Sequence, residues 1–304
     1  MTETLLAESD AAFESYLAVR HRLPAARFGT DWTTASSLAE VAAPFDLVLL
    51  DAYGVLNVGE TPIAGAAACI AALRQAGKAV MVVSNSAGYP KRRMMDRYRR
   101  LGFDFAPDEV ATSREALLAH LAQAAPRRWG LMLGSADGTE GLGGIDACFL
   151  AEDRAIYDAV DGFLLIGSEG WTETRQAMLE ASLRQRPRPV CVGNPDIVAP
   201  REDGLSREPG FFAHRLIDAT GMSVRFFGKP FPEIFDLALA RCADPPAPER
   251  VLMVGDTLHT DILGGRAMGF ATALVTDHGS LAKLDAAEAI RRSEIVPDFV
   301  IGGI

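Results

Sequence analysis

The stretch Phe45-Asp46-Leu47-Val48-Leu49-Leu50-Asp51-Ala52-Tyr53-Gly54-Val55-Leu56 decides the fold. Its apolar run is too short for a helix, lacks polar alternation and is closed by a glycine turn. It therefore reads as a buried strand of a parallel sheet. In an open α/β sheet, ligands bind in the crevice outside the carboxyl ends of the strands. The run thus delivers one carboxylate, Asp51, to that crevice on a rigid element.

Three further runs repeat the pattern. Lys78-Ala79-Val80-Met81-Val82-Val83 ends in Ser84-Asn85-Ser86, and Val224-Arg225-Phe226-Phe227 ends in Gly228-Lys229-Pro230. Val251-Leu252-Met253-Val254 ends in Gly255-Asp256-Thr257, with Asp261 shortly after. Each polar residue alone has a plain structural reading. Ser84 and Asp261 could cap helices, Lys229 could be a turn lysine, and Asp256-Thr257 could be turn chemistry. Those readings do not explain the ordered set: a carboxylate, a hydroxyl–amide pair, an ammonium and a second carboxylate.

Together these residues resemble the haloacid dehalogenase superfamily of aspartate-nucleophile hydrolases, most of them phosphatases. Within it they resemble class IIA, which includes the NagD-like and p-nitrophenyl-phosphatase-like proteins. The class likeness extends to residues 59–66, 111–116, 194–196, 228–235 and 255–262, so it covers roughly Phe45 to the C-terminus. It implies an α/β fold: a doubly wound, Rossmann-like parallel-sheet core carrying an inserted α/β cap domain.

The resemblance also implies roles. A phosphate monoester is anionic, so a carboxylate that attacks it needs charge neutralisation and in-line positioning. Asp51 would be the nucleophile, forming an aspartyl-phosphate. Asp51, Asp256 and the Tyr53 carbonyl would hold Mg²⁺, with Asp261 orienting the metal site. Ser84, Asn85 and the backbone amides that begin at Ala52 would bind phosphate oxygens. Lys229 would neutralise the charge of Asp51 and the phosphate. Asn194 and Asp196, in the cap, would help close the site over substrate, although Asn194-Pro195-Asp196 also reads as an ordinary Asx-Pro turn.

Tyr53 departs from the phosphatase pattern, which usually has a second aspartate there. That aspartate protonates the leaving alcohol and then deprotonates the attacking water. A phenol is a far weaker acid than a carboxylic acid, and a positioned acid–base group is worth roughly 10²–10⁴-fold in rate. The expectation is a slow phosphatase acting on a small phosphorylated metabolite, with His259 as a candidate substitute acid–base group. An Asp-x-Tyr-Gly arrangement with a Ser-Asn pair also resembles the superfamily's true haloacid dehalogenases, so carbon–halogen hydrolysis is an alternative. Those enzymes lack the metal-type Gly-Asp-Thr segment seen at Gly255. A non-catalytic phosphate-ligand-binding protein is the third reading.

Bulk properties narrow the partners. The 304 residues carry a net charge of −10 with no long basic tract, which disfavours nucleic acid. The basic cluster at residues 91–100, interleaved with Met94, Met95 and Tyr98, reads as a solvated helix face. Four scattered cysteines (Cys69, Cys148, Cys191, Cys242) read as buried free thiols of a reducing compartment. No apolar stretch reaches membrane-span length and the first ten residues do not read as a signal peptide, so a cytoplasmic protein without a membrane partner is expected. Oligomeric state is left open, a homodimer included.

Along the chain, residues 1–44 read as a helical N-terminal extension. Residues 45–113 and 211–304 read as the core, and 114–210 as the inserted cap. The cap's expected strands are 130–133, 162–166 and 189–192, and its helices 116–123 and 172–184. The glycine-rich 137–144 stretch fits neither a P-loop nor a dinucleotide fingerprint and reads as a cap loop.

Overall fold

Seven parallel strands form the larger sheet, in the order Thr33–Ala35, Phe299–Ile301, Ala271–Val275, Val251–Gly255, Leu47–Leu50, Ala79–Ser84 and Val110–Thr112. This computed structural model describes residues 9–134, 138–201 and 204–304. Leu47, Val48, Leu49 and Leu50 are all fully buried, as a central strand covered on both faces by helices requires. Leu50 lies opposite Val254 on one side and Val82 on the other. That register brings Asp51, Ser84 and Asp256 out at one carboxyl edge of the sheet.

A second sheet is built from five parallel strands, in the order Arg225–Phe226, Val190–Val192, Gly162–Leu165, Trp129–Met132 and Ala147–Phe149. It has its own apolar core around Phe163, Leu165, Leu179, Leu183 and Val192. An antiparallel hairpin, Val198–Arg201 with Gly204–Arg207, hangs beside it. Helix Pro209–Thr220 follows. The expected strands and helices of this middle block lie within a few residues of the observed ones. The hairpin, the Ala147–Phe149 strand and helix Arg154–Ala159 were not foreseen. Of the glycine-rich stretch, Asp137 lies outside the described residues.

Three expectations need correction. The run at Val224 does not join the larger sheet: Arg225 and Phe226 pair with Cys191 and Val192. A two-residue apolar strand carries no signal of which sheet it completes; the chain reaches the carboxyl edge of the larger sheet at Lys229 and rejoins that sheet at Val251. The N-terminal segment is not wholly helical. After helix Ser9–Val19, Thr33–Ala35 adds an edge strand beside Phe299–Ile301, where two threonines suit an extended backbone. The basic helix Lys91–Arg100 is not a purely solvated face either. Arg97 is 2% exposed, donates to Glu60 and to the Gly59 carbonyl, and lies 4.9 Å from the centroid of the Tyr53 ring.

His214, on helix Pro209–Thr220, stacks on Phe226 at 5.0 Å, and burial, followed by the nearby Arg22 charge, holds its imidazole down to about 4. The unfolded chain takes up a proton near the ordinary value of ~6.5, which the folded imidazole refuses. Its contribution is therefore full above pH ~6.5 and is lost as pH falls towards ~4. By pH 5 the loss is about 2 kcal/mol. His214→Phe should flatten the pH dependence of thermal stability between pH 7.5 and 5, and unchanged slopes would contradict neutral burial of this ring.

Candidate active site

The floor of the site is one buried ammonium between two carboxylates. Lys229 Nζ lies 2.5 Å from Asp51 Oδ1 and 2.8 Å from Asp261 Oδ1. Lys229 is 1% exposed and Asp261 fully buried. Burial alone would lower the lysine's pKa, but Asp261, Asp51 and Asp196 outweigh it and raise it, so the ammonium stays charged. Asp256 completes the group. Asp51, Asp256 and Asp261 each offer an oxygen, and those oxygens lie within 4.8 Å of one another. Burial raises the pKa of both Asp256 and Asp261; the neighbouring carboxylates reinforce it at Asp256, while at Asp261 the Lys229 charge opposes it and Asp51 reinforces it. Three carboxylates face one ammonium, so the cluster carries excess negative charge in a hard-oxygen setting. A small divalent cation suits that donor set.

Glycines make room for these carboxylates. Gly54 (φ +81°) and Gly279 (φ +91°) hold left-handed backbone that favours glycine. A Cβ on either would meet the Asp256 carboxylate, at 2.7 Å from Cγ for Gly54 and 2.0 Å from Oδ2 for Gly279. The next residue, Ser280, donates its backbone N–H to Asp256 Oδ2 at 2.6 Å. This loop was missed, although it follows another strand end, Val275. Asp261 sits in a single wide π-type turn, Leu258–Ile262, a form often found at functional sites. Its Oδ2 accepts the Thr257 N–H at 3.1 Å, so both its oxygens are already engaged.

Asn85 turns out to act on Lys229. Its Oδ1 accepts the Lys229 N–H at 2.7 Å, and its Nδ2 donates to the Lys229 carbonyl at 2.9 Å and to Asp196 Oδ1 at 2.7 Å. Both amide hydrogens are used, so the donor expected to hold phosphate is spent on positioning the lysine. Ser113 Oγ donates to the Asn85 carbonyl, and Arg114 donates to the Ala87 and Gly88 carbonyls. The 111–116 segment therefore shapes the Ser84-Asn85 loop. Ser84 is 1% exposed and its Oγ accepts from the Ser86 N–H at 3.3 Å.

Above this floor opens a cavity of about 440 Å³, lined by Asp51, Tyr53, Ser84, Asp196, Arg201 and Asp256 among others. Asp196 comes from the second sheet's side, and its pKa is raised well above the ordinary range by burial, with Lys229 opposing and Asp51 reinforcing the shift. Asn194 also lines the cavity, but its side chain is spent locally. Oδ1 accepts the Asp196 N–H at 2.9 Å, and Nδ2 donates to Glu208 at 3.1 Å. Its plain reading as an Asx turn holds. Ala52, fully buried, places its amide at the turn leaving strand Leu47–Leu50.

Tyr53 has a partner no sequence pattern foretold. Arg201, from the hairpin, donates from Nη1 to the Tyr53 hydroxyl at 3.2 Å, and its guanidinium lies 5.0 Å from the ring centroid. Arg201 is itself held by Glu208 at 2.9 Å and by Ser206 at 2.9 Å. His259, the expected substitute acid–base, lines no part of this cavity. Its ring is 1% exposed and stacked on Tyr16, and burial pushes it down to about 3. It is therefore not placed to exchange a proton with a group bound in the cavity.

Comparison with known proteins identifies a family. A model described as haloacid dehalogenase-like hydrolase matches residues 48–146, and a HAD-hydrolase-like model matches residues 226–301. The chain is 30% identical over 287 residues to chronophin of Bos taurus, covering 88% of this chain and 94% of that one. It is 32% identical over 263 residues to the D-glycerol 3-phosphate phosphatase of Mycobacterium tuberculosis, covering 84% and 70%. The structure of that bacterium's glycerol phosphate phosphatase in complex with magnesium superposes with a TM-score of 0.67 at 26% identity, covering 86% and 76%. A possible sugar phosphatase from Cytophaga hutchinsonii superposes with a TM-score of 0.77 at 25% identity, covering 90% and 98%. The chain belongs to the haloacid dehalogenase-like hydrolases. Solved 4-nitrophenylphosphatases of Thermotoga maritima and Archaeoglobus fulgidus share its fold, with TM-scores of 0.70 and 0.69 at 23% identity, and the chain is a hydrolase.

If Asn85 serves through Lys229, the two should not act independently. Asn85→Leu should lower turnover by at least tenfold and Lys229→Ala by more. The double variant should be no worse than Lys229→Ala alone. Additive losses in that cycle would mean Asn85 contacts substrate itself.

Proposed function

We propose that the chain is a Mg²⁺-dependent phosphomonoesterase of small metabolites, with Asp51 as nucleophile and Tyr53 in the place of the usual acid–base aspartate. The observation that carries this is Lys229 held between Asp51 and Asp261, with Asp256 alongside. Relatives named for glycerol phosphate, dihydroxyacetone and sugar phosphates support the substrate class. The relative whose structure contains magnesium supports the metal. Asp51, Asp256 and the Tyr53 carbonyl would hold the ion. Asp261, its oxygens engaged by Lys229 and Thr257, orients the site. Bound Mg²⁺ supplies positive charge against the phosphoryl oxygens. Dehalogenation at carbon would leave the buried Asp256–Asp261 pair without a purpose.

In the first step an Asp51 oxygen attacks phosphorus, the bond to the leaving oxygen breaks, and its electron pair departs with the alcohol. The Lys229 ammonium offsets the charge brought together by Asp51 and the phosphoryl group. The Tyr53 oxygen already accepts a hydrogen bond from Arg201, so its own proton is available to the leaving oxygen in the cavity. In the second step water attacks the aspartyl-phosphate, the bond from phosphorus to Asp51 breaks, and inorganic phosphate leaves. The Tyr53 phenolate left by the first step regains its proton from solvent, and the neutral phenol is then a poor base for that water, whose proton leaves with the phosphate, which makes turnover slow. The four cysteines, none of them paired, support a reducing compartment, and this reading places the enzyme in the cytoplasm.

A screen of phosphorylated metabolites with and without Mg²⁺ should find hydrolysis that needs the ion and disappears in a folded Asp51→Asn variant. Near-wild-type residual activity in Asp51→Asn would place the chemistry elsewhere. Tyr53→Asp should raise turnover of alkyl phosphates, by less than the roughly 10²–10⁴-fold worth of a positioned acid–base group. The gain should be smallest for nitrophenyl phosphate, whose phenolate leaves unaided. Equal slowness of a folded Tyr53→Asp variant on both substrates would show that Tyr53 does not stand in the acid–base position.

A further inference from the structure

The N-terminal extension carries no motif, yet its helix Ser9–Val19 reaches the site from outside the cavity. Tyr16 is the residue that connects. On one side its ring stacks on His259, with centroids 5.2 Å apart and planes 15° apart, while Phe13 meets the same imidazole edge-on at 6.0 Å. His259 belongs to the π-type turn that carries Asp261. On the other side the Tyr16 hydroxyl accepts the backbone N–H of Ile197 at 3.0 Å. Ile197 directly follows Asp196. Tyr16, Ala12 and Val19 also close an apolar cluster with Ile197, Val198 and Leu205, at the root of the hairpin that presents Arg201. Two outer ties hold the segment to both units. Arg22 pairs with Asp218 and donates to the His214 carbonyl, and Arg292 pairs with Glu14.

We propose that Tyr16 is a positioning residue that pins the Asp196 turn and the Arg201 hairpin of the inserted unit to the Asp256–Asp261 side of the core. This rests on the hydrolase reading above. The inserted unit reaches the strand ends at two polar points, Asp196 on Asn85 and Arg201 on Tyr53. Tyr16 adds a third, at the residue that follows Asp196 in the same turn, and a third contact restrains one body against another more firmly than two. A helix packed only for stability has no need of a buried polar group at this place. Here the hydroxyl of a tyrosine that is 4% exposed is spent on one backbone amide next to a cavity-lining carboxylate. Loss of that hydroxyl leaves a buried N–H unsatisfied, which loosens the turn.

The test is Tyr16→Phe in the full chain, with Ser15→Ala on the exposed side of the same helix as control. Three readouts apply: the KM-against-kcat split for a hydrolysed monoester, tryptic cleavage at Arg201 and Arg207 in the hairpin, and hydrogen exchange of the peptide containing Ile197. Tyr16→Phe should raise KM and the cleavage rate by about five- to tenfold each and speed exchange at Ile197, with inorganic phosphate slowing the cleavage again. Ser15→Ala should change none of these. Unchanged cleavage and exchange in a folded Tyr16→Phe would overturn the proposal, as would a KM that stays at the wild-type value. If wild type hydrolyses no monoester, the hydrolase reading fails, and the cleavage and exchange arms still decide whether Tyr16 holds the turn.

Discussion

A buried ammonium holds this site together. Isolated in the interior, Lys229 would be costly, and removing one partner from a buried ion pair typically costs about 3–5 kcal/mol. Here Asp51 and Asp261 compensate it, and Asn85 fixes its backbone from both sides. The carboxylates come from two adjacent strands of one sheet and the lysine from the return of the chain out of the other. The charge triad thus also ties the two sheets together at the place where chemistry is needed.

Much of the core could be read from sequence because its strands are buried on both faces. Such strands leave unbroken apolar runs, and the polar residue that ends each run is then conspicuous. Asp51, Ser84 and Asp256 are legible in that way. What escaped depends on long-range pairing without periodicity. Arg201 and Glu208 sit on a short hairpin, and nothing in their neighbourhood announces that one reaches Tyr53. Arg97 lies in a run of basic residues that looks solvated, yet it is the member that turns inward. The Arg225–Phe226 strand is apolar enough for either sheet, and only the three-dimensional register assigns it. Asn85 was read as a phosphate ligand from its place in the motif, whereas its hydrogen bonds show a framework role.

Tyr53 is held from both units. Its side chain carries a hydroxyl that needs a partner when partly enclosed, and Arg201 supplies it. Arg97 and Arg201 both lie over the ring, an arrangement favourable through cation–π attraction. Arg201 is in turn balanced by Glu208. The inserted unit therefore couples Tyr53 in the core to its own hairpin.

The central claim is that Asp51 becomes covalently phosphorylated. Acid-quenching the enzyme during turnover of a phosphate monoester with Mg²⁺, followed by peptide mass spectrometry, tests it directly. Slow hydrolysis of the intermediate should let it accumulate, so the peptide containing Asp51 should gain the mass of one phosphoryl group, and borohydride reduction should convert that residue to homoserine. Steady turnover with no label on that peptide, or label on a different residue, would contradict the account.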